Sequence, residues 1–398
     1  ENATAVITSV GYRSREVVLK GDAPINISLD LTSGSLDEVV VVGYGTVRKR
    51  DLTGSVAVVN VENAKKTASN DVAKILQGQV AGVSVQGSGE PGGFVQIKIR
   101  GISNFRNNSP LFVIDGVPMD APFDFSVGDI ESIQILKDAS AGAIYGARAA
   151  TGVVIITTKK GRPGPAKINL NSYYGIQKVP KKIPLLNRAE YQKVVNAADA
   201  NAGNAPAPAN DPTNPNYVSN INTDWQDEAL QTGIIQDHNI GVSGGSELLT
   251  YNLSLGYFNQ EGYQVGPQAY NRYTLNSSLQ GKKGKLSYGT KAAYTYSKKG
   301  NYAATNGHAV FGGTVTAMLT AIPTMPVYDP SKLGGFAGTD QTIHRAISAN
   351  VVGINKLVQD WGERNRIFLN GWAEYEFVKN LKYKVNASFD RTDYKDYH

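Results

Sequence analysis

The sequence predicts a mainly β protein: a small α/β unit followed by antiparallel strands of a transmembrane β-barrel. Three observations carry this. Residues 110–161 read as strand, turn, short helix and strand. After residue 165, segments of about ten residues alternate apolar and polar side chains with period two, the pattern of an outer-membrane barrel. Between those segments, tight turns alternate with long connections, as in barrels whose loops are short on one side of the membrane and long on the other.

Composition narrows the classes. The chain has 398 residues and no Cys, so disulfides, thiolate zinc sites and thiol nucleophiles are excluded. Its 42 Gly and 21 Tyr against 3 Trp suit a β-rich chain with many turns. The net charge of +6 comes from scattered Lys and Arg, without the basic stripe that nucleic acid requires. No apolar run reaches the ~18 residues of a transmembrane helix. The start, ENATAVITSV, has no basic n-region and no long apolar core, so no signal peptide is expected; the chain is read as mature or as beginning internally.

Taken in order, residues 1–32 hold short apolar pieces at Ala5–Ile7, Val17–Leu19 and Ile25–Leu31, punctuated by Gly11, Gly21 and Pro24. Three short strands do not make a stable domain alone. Val39–Val42 is a β-branched run which, on its own, reads as a buried strand. Ser69 or Asn70 can cap a short helix over Asp71–Gln77. Val80–Gln86 and Val95–Arg100 read as strands around the loop Gly87–Gly93. Leu111–Ile114 is apolar and stops at the turn Asp115-Gly116-Val117-Pro118. Ile130–Leu136 fits neither period and is read as a turn leading into a strand. Asp138 is placed to cap a helix over Ala139–Ala143 that Gly146 ends. Gly152–Thr158, GVVIITT, reads as a buried strand.

Seven segments then alternate: Lys167–Gln177, Ile234–Ser243, Glu247–Asn259, Asn271–Gln280, Lys285–Ser297, Arg366–Val378 and Leu381–Asp390. Leu253, Leu255 and Tyr257 share one phase, with Asn252, Ser254 and Gly256 in the other. Gly244–Ser246, Gly281–Gly284 and Lys379-Asn380 are the tight turns. Asn187–Gly233 and Gly300–Glu363 are the long connections, and Gln260–Ala269 is intermediate. A soluble β-sandwich also alternates, but it does not demand this long–short order.

The segments LQGQVAGV, PLFVIDGVP and DIESIQILKDASAGAIYGARAATGVVIITTKKG closely resemble the plug domain of TonB-dependent outer-membrane transporters of the SusC/RagA type. The resemblance implies four parts. Residues 1–32 would be the end of a carboxypeptidase-regulatory-like β-sandwich and 33–48 a linker with the TonB box. Residues 49–162 would be the plug, and 163–398 the N-terminal strands of a barrel. The transporters it resembles close with about 22 strands, so the chain reads as an N-terminal portion of a longer polypeptide. The box is Asp37, Glu38, Val39, Val40, Val41, Val42 and Gly43, an exposed segment captured by strand addition. Arg100 and Asp115, each beside a strand-ending glycine, are implied to tie plug to barrel wall.

The implied function is TonB-dependent import of a bulky nutrient, an oligosaccharide or a peptide, across the outer membrane of a Gram-negative bacterium. The implied partners are TonB, a SusD-like surface lipoprotein and outer-membrane lipid. No enzyme activity, cofactor or metal is expected. The alternative is a plugged barrel serving as a passive adhesin or scaffold, which has no need of a periplasmic handle.

Motifs that mimic chemistry fail on context. Gly241-Val242-Ser243-Gly244-Gly245 matches a nucleophile elbow, but it leads into a hairpin rather than a helix. His238, His308, His344 and His398 lack ligand spacing. Asp224, Asp227 and Glu228 are read as a solvated loop or a ligand contact, since no opposing carboxyl can be placed for acid–base work. Gly142–Gly146 is ordinary helix packing or capping outside an apolar run.

Overall fold

A computed structural model describes residues 3–7, 15–19, 28, 39–42, 45–48, 56–61, 72–87, 89–93, 95–102, 108–119, 125–138, 143–266, 268–300, 313–358, 360–379 and 381–397. At the N-terminus, β1 (Ala3–Ile7) and β2 (Arg15–Leu19) pair antiparallel. β3 (Val39–Val42) pairs antiparallel with β4 (Gly45–Arg48).

The α/β unit is a five-stranded sheet in the order β5-β10-β11-β8-β9. Its strands are β5 (Val56–Val59), β8 (Leu111–Ile114), β9 (Val117–Met119), β10 (Ile130–Leu136) and β11 (Val153–Thr158). A separate hairpin, β6 (Val83–Gly87) with β7 (Val95–Ile99), packs beside it. β8 and β11 run parallel, and both of their faces are covered, which explains their unbroken apolar runs. Phe112, Ile114, Val154 and Ile156 face one core with Leu76 and Ile97. Leu111, Val113, Val153 and Ile155 face the other with Tyr145 and Ala149.

Three local expectations change. Ile130–Leu136 is not a turn but a full strand paired on both sides, by β5 and β11. Its sequence has no period because Ile133, Gln134, Ile135 and Leu136 are buried whichever face they take. The expected helix over Asp71–Gln77 is a single 3₁₀ turn, Lys74–Leu76, and its proposed caps lie outside the described residues. After Asp138, the chain makes two 3₁₀ turns within Ala143–Ala149, joined at Gly146, whose φ of 68° lets the chain change direction rather than end a helix. Residues 139–142 lie outside the described set.

The remaining strands form one seven-stranded antiparallel meander, β12 to β18 in sequence order. They are β12 (Gly164–Gln177), β13 (Gly233–Gly245), β14 (Leu249–Glu261), β15 (Ala269–Lys283), β16 (Leu286–Gly300), β17 (Trp361–Val378) and β18 (Leu381–Tyr397). Six of them are longer than their sequence segments, because the pairing continues past the alternating residues; β14 keeps the 13-residue length of its segment, moved two residues along the chain.

The sheet is inverted relative to a water-soluble one. Leu253 and Leu275 are 45% and 41% exposed, while their neighbours Ser254 and Asn276 are 3% and 7% exposed. Leu255, Tyr273, Leu279, Tyr288, Tyr294, Ile367 and Leu369 share the open face. Thr274, Ser278, Lys291, Thr295 and Arg366 share the covered one. A sandwich would bury the leucines; a membrane strand turns them to lipid and its polar residues to the lumen. Among the described residues no helix is long and apolar enough to cross a membrane.

The long connections are not structureless. α1 (Arg188–Asn201) and α2 (Trp225–Ala229) lie between β12 and β13. α3 (Thr314–Thr320), α4 (Gln341–His344) and α5 (Val351–Leu357) lie between β16 and β17. The two connections share one apolar core around Trp225, Met318, Ile322, Met325, Val351 and Val352.

Candidate functional site

The site is where the α/β unit meets the polar face of the large sheet. Its centre is Asp115. The two-residue loop Asp115-Gly116 joins β8 to β9, with φ of 49° and 86°. Both positions need positive φ in such a turn, which is why Asp-Gly is favoured there. The turn directs the Asp115 carboxylate away from its own hairpin. Oδ1 accepts from the Thr158 amide at 2.9 Å, and Oδ2 accepts from the Thr158 hydroxyl at 2.6 Å. Lys291 Nζ of β16 completes the set at 2.5 Å from Oδ2, and it also donates to Thr158 Oγ1 at 3.0 Å.

The ion pair is nearly dry. Lys291 lies 5.1 Å from the Phe125 ring centre and 5.9 Å from that of Phe368. Burial pushes the Asp115 carboxyl up, but the Lys291 charge and the hydrogen bonds from Lys291 and Thr158 outweigh it and hold the group below the usual carboxylate range.

A second contact lies one turn away. Ser126 caps the 3₁₀ turn Val127–Asp129 through the Gly128 amide and accepts from Asn239 Nδ2 of β13 at 3.3 Å. A Cβ on Gly128 would lie 2.8 Å from Asn239 Cγ, so only glycine permits this approach. Asp129 accepts from Asn276 Nδ2 of β15 at 2.5 Å. Burial pushes the Asp129 carboxyl up; hydrogen bonding from Ser254 and Asn239 and the charges of Lys159 and Lys291 oppose it without cancelling it. A third contact joins Glu90, in the loop between β6 and β7, to Lys299 of β16 at 3.0 Å.

The sequence-derived site residues divide. Asp115 reaches the sheet through Lys291. Arg100 instead pairs with Asp138 within the α/β unit, and its side chain is more than half exposed. Arg100 lies just past β7 with a φ of 56°. Val39–Val42 forms β3, whereas Asp37, Glu38 and Gly43 lie outside the described residues.

Asp224 is the N-cap of α2, accepting from the amides of Gln226 and Asp227, and Asp227 pairs with Lys182. Ser243 sits inside β13, far from any strand-to-helix elbow. His238 bonds Ser172 Oγ at 2.8 Å and stacks on Tyr257.

Sequence reasoning missed Lys291, Asp129, Asn239 and Asn276. Lys291 had a visible signal, a cation in the polar phase of β16 among Ser287, Gly289 and Thr295. The other three carry no signal that separates them from ordinary lumen or turn residues.

Comparison with known proteins places this geometry. The TonB-dependent Receptor Plug Domain family model matches residues 48–153. TonB-dependent receptor P26 of Formosa agariphila is 38% identical over 347 residues, 85% of this chain and 33% of that protein. TonB-dependent receptor SusC of Bacteroides thetaiotaomicron is 35% identical over 347 residues, 83% of this chain and 32% of that one. The RagAB peptide importer in its open-open state superposes with a TM-score of 0.70 at 27% identity, over 90% of this chain and 43% of the solved one. The chain thus spans about a third of the length of the curated relatives it matches. Residues 48–153 are a TonB-dependent receptor plug domain, and the chain belongs to the SusC/RagA type of TonB-dependent receptors, β-barrel proteins of the Gram-negative outer membrane.

Proposed function

We propose that the whole protein imports a bulky nutrient, an oligosaccharide or a peptide, in a TonB-dependent manner, together with a SusD-like surface lipoprotein. The observation that carries this reading is the Asp115–Lys291 pair. It latches a plug to the polar face of a sheet whose other face is apolar. A plugged pore conducts only if the plug moves, and moving it needs work from outside the barrel. The segment Asp37–Gly43 precedes the plug and is the handle through which TonB would deliver that work. Strand addition draws its affinity from main-chain bonds, which suits a run of four valines. Similarity to SusC and to the RagAB peptide importer supports import by a barrel with a lipoprotein partner. On the same reading the chain divides as 1–32, 33–48, 49–162 and 163–398.

The test is uptake of labelled oligosaccharides and peptides by cells carrying full-length variants. Val40→Pro and Val41→Pro should abolish uptake while surface level and ligand binding persist, because proline removes a donor and blocks strand pairing. Val41→Ile should be nearly silent. Normal uptake by both proline variants would leave the segment an ordinary strand and favour a passive plugged barrel.

A further inference from the structure

β3 is already half of a sheet. Val39 is opposite Arg48, Val40 opposite Val47, Val41 opposite Thr46 and Val42 opposite Gly45. Only Gly43 and Tyr44 separate the strands in sequence. In a two-residue hairpin the closing pair exchanges main-chain bonds, and bonded and non-bonded pairs then alternate. Val42 with Gly45 and Val40 with Val47 are therefore the bonded pairs. The N–H and C=O groups of Val39 and Val41 turn the other way, to an edge that no other described strand occupies.

We propose that β4 is a template for energy coupling. It holds β3 extended and in one register, so that TonB adds its strand to the free edge and bonds Val39 and Val41. This rests on reading Asp37–Gly43 as the handle. A free segment loses roughly 1–2 kcal/mol of backbone entropy for each residue it orders; a strand fixed in advance has met that cost before the partner arrives. The two edges of the hairpin are unequal. β4 ends at Arg48 and is followed by Lys49 and Arg50, and cationic edges resist further pairing. β3 is four valines, with Asp37 and Glu38 directly ahead of it. An isolated hairpin is marginal in water, so the template orders the handle without locking it. Val47, which is no part of the handle, thereby becomes a positioning residue for coupling.

The test compares three prolines in the full-length protein, reading affinity for the purified periplasmic domain of TonB alongside nutrient uptake. Val41→Pro removes a donor on the free edge and should abolish binding. Val47→Pro removes the donor to Val40 and should lower affinity at least tenfold, with uptake falling in step. Thr46→Pro removes a donor that points away from β3 and should stay within twofold of wild type, which separates loss of the ladder from any general effect of proline. Surface level and ligand binding should be unchanged in all three. Wild-type affinity in Val47→Pro with Val41→Pro dead would overturn the template and leave the handle standing. Tighter binding by Val47→Pro would also overturn it, by making β4 a competitor. Normal binding and uptake in Val41→Pro would remove the handle and the template together.

Discussion

At Lys291 one ammonium meets two buried carboxylates of the plug with opposite tendencies. It holds Asp115 ionised through a direct ion pair, whereas at Asp129 burial outweighs the hydrogen bonds and the charges of Lys159 and Lys291, so that carboxyl resists ionisation. Lys291→Met in the full-length protein should loosen the plug by about 3–5 kcal/mol, because it leaves Asp115 buried and uncompensated. Adding Asp115→Asn should restore most of that. Denaturant-dependent proteolysis of residues 49–162 measures both, and equal loss in single and double variants would deny the coupling. The two carboxylates also predict a pH response. Asp115 titrates below its unfolded value near about 3.9, so its contribution is present above that pH and is lost as pH falls through its depressed value. Asp129 titrates above its unfolded value, so its contribution is full below about pH 3.9 and is lost as pH rises through the raised value. Asp129→Asn should therefore seat the plug more firmly than wild type at neutral pH, with the difference vanishing on acidification. The same proteolysis assay across pH reads this, and an advantage confined to acid pH would reverse the assignment.

Elements were legible where one physical rule governed a whole segment. β14 and β15 alternate cleanly because lipid lies on one side and a polar lumen on the other, so each residue reports its own face. β10 was not legible, since both of its faces are covered and burial erases the period. The connection after β12 looked like a loop, yet Asn187 and Glu190 form a capping box that opens the 14-residue helix α1, a signal present in the sequence at the right spacing. Arg100 misled for a different reason: a strand-ending Arg-Gly shows where the chain turns but not which carboxylate the side chain meets. Two measurements test the element level. Leu253→Arg should cost roughly 2–4 kcal/mol if it lies near the midplane, whereas Asn252→Arg, on the polar face, should cost little. Greater damage from Asn252→Arg in reversible unfolding from lipid would invert the sheet. Trp225→Ala should cost about 3–5 kcal/mol, confined to the helical connections. Trp225 is buried in their shared core, and its indole donates to the Ile322 carbonyl at 2.9 Å. Faster hydrogen exchange at both 222–226 and 318–325 is the expected signature; change at 222–226 alone would mean that the connections behave independently.

For the whole molecule, the connections define which side of the membrane is which. β13–β14, β15–β16 and β17–β18 are joined by residues 246–248, 284–285 and 379–380. β12–β13, β14–β15 and β16–β17 are joined by 178–232, 262–268 and 301–360. All three longer connections meet: the Val265 amide donates to Ala229 O at 2.8 Å, the Thr223 amide to Pro323 O at 2.9 Å, and Arg345 to Ala205 O at 2.9 Å. They build a folded cap at one end of the sheet and leave bare turns at the other. In outer-membrane barrels the short turns are periplasmic and the long loops extracellular, which puts the cap outside the cell. The proposed handle, by contrast, must be reachable from the periplasm if TonB is to grip it. A small epitope inserted at Gly335, beside the fully exposed Leu333, should be labelled by a membrane-impermeant reagent on intact cells. The same epitope at Glu247 should be labelled only after the outer membrane is opened. Labelling at Glu247 on intact cells, with Gly335 protected, would turn the molecule over and put the cap and the proposed handle on the wrong sides for the proposed import.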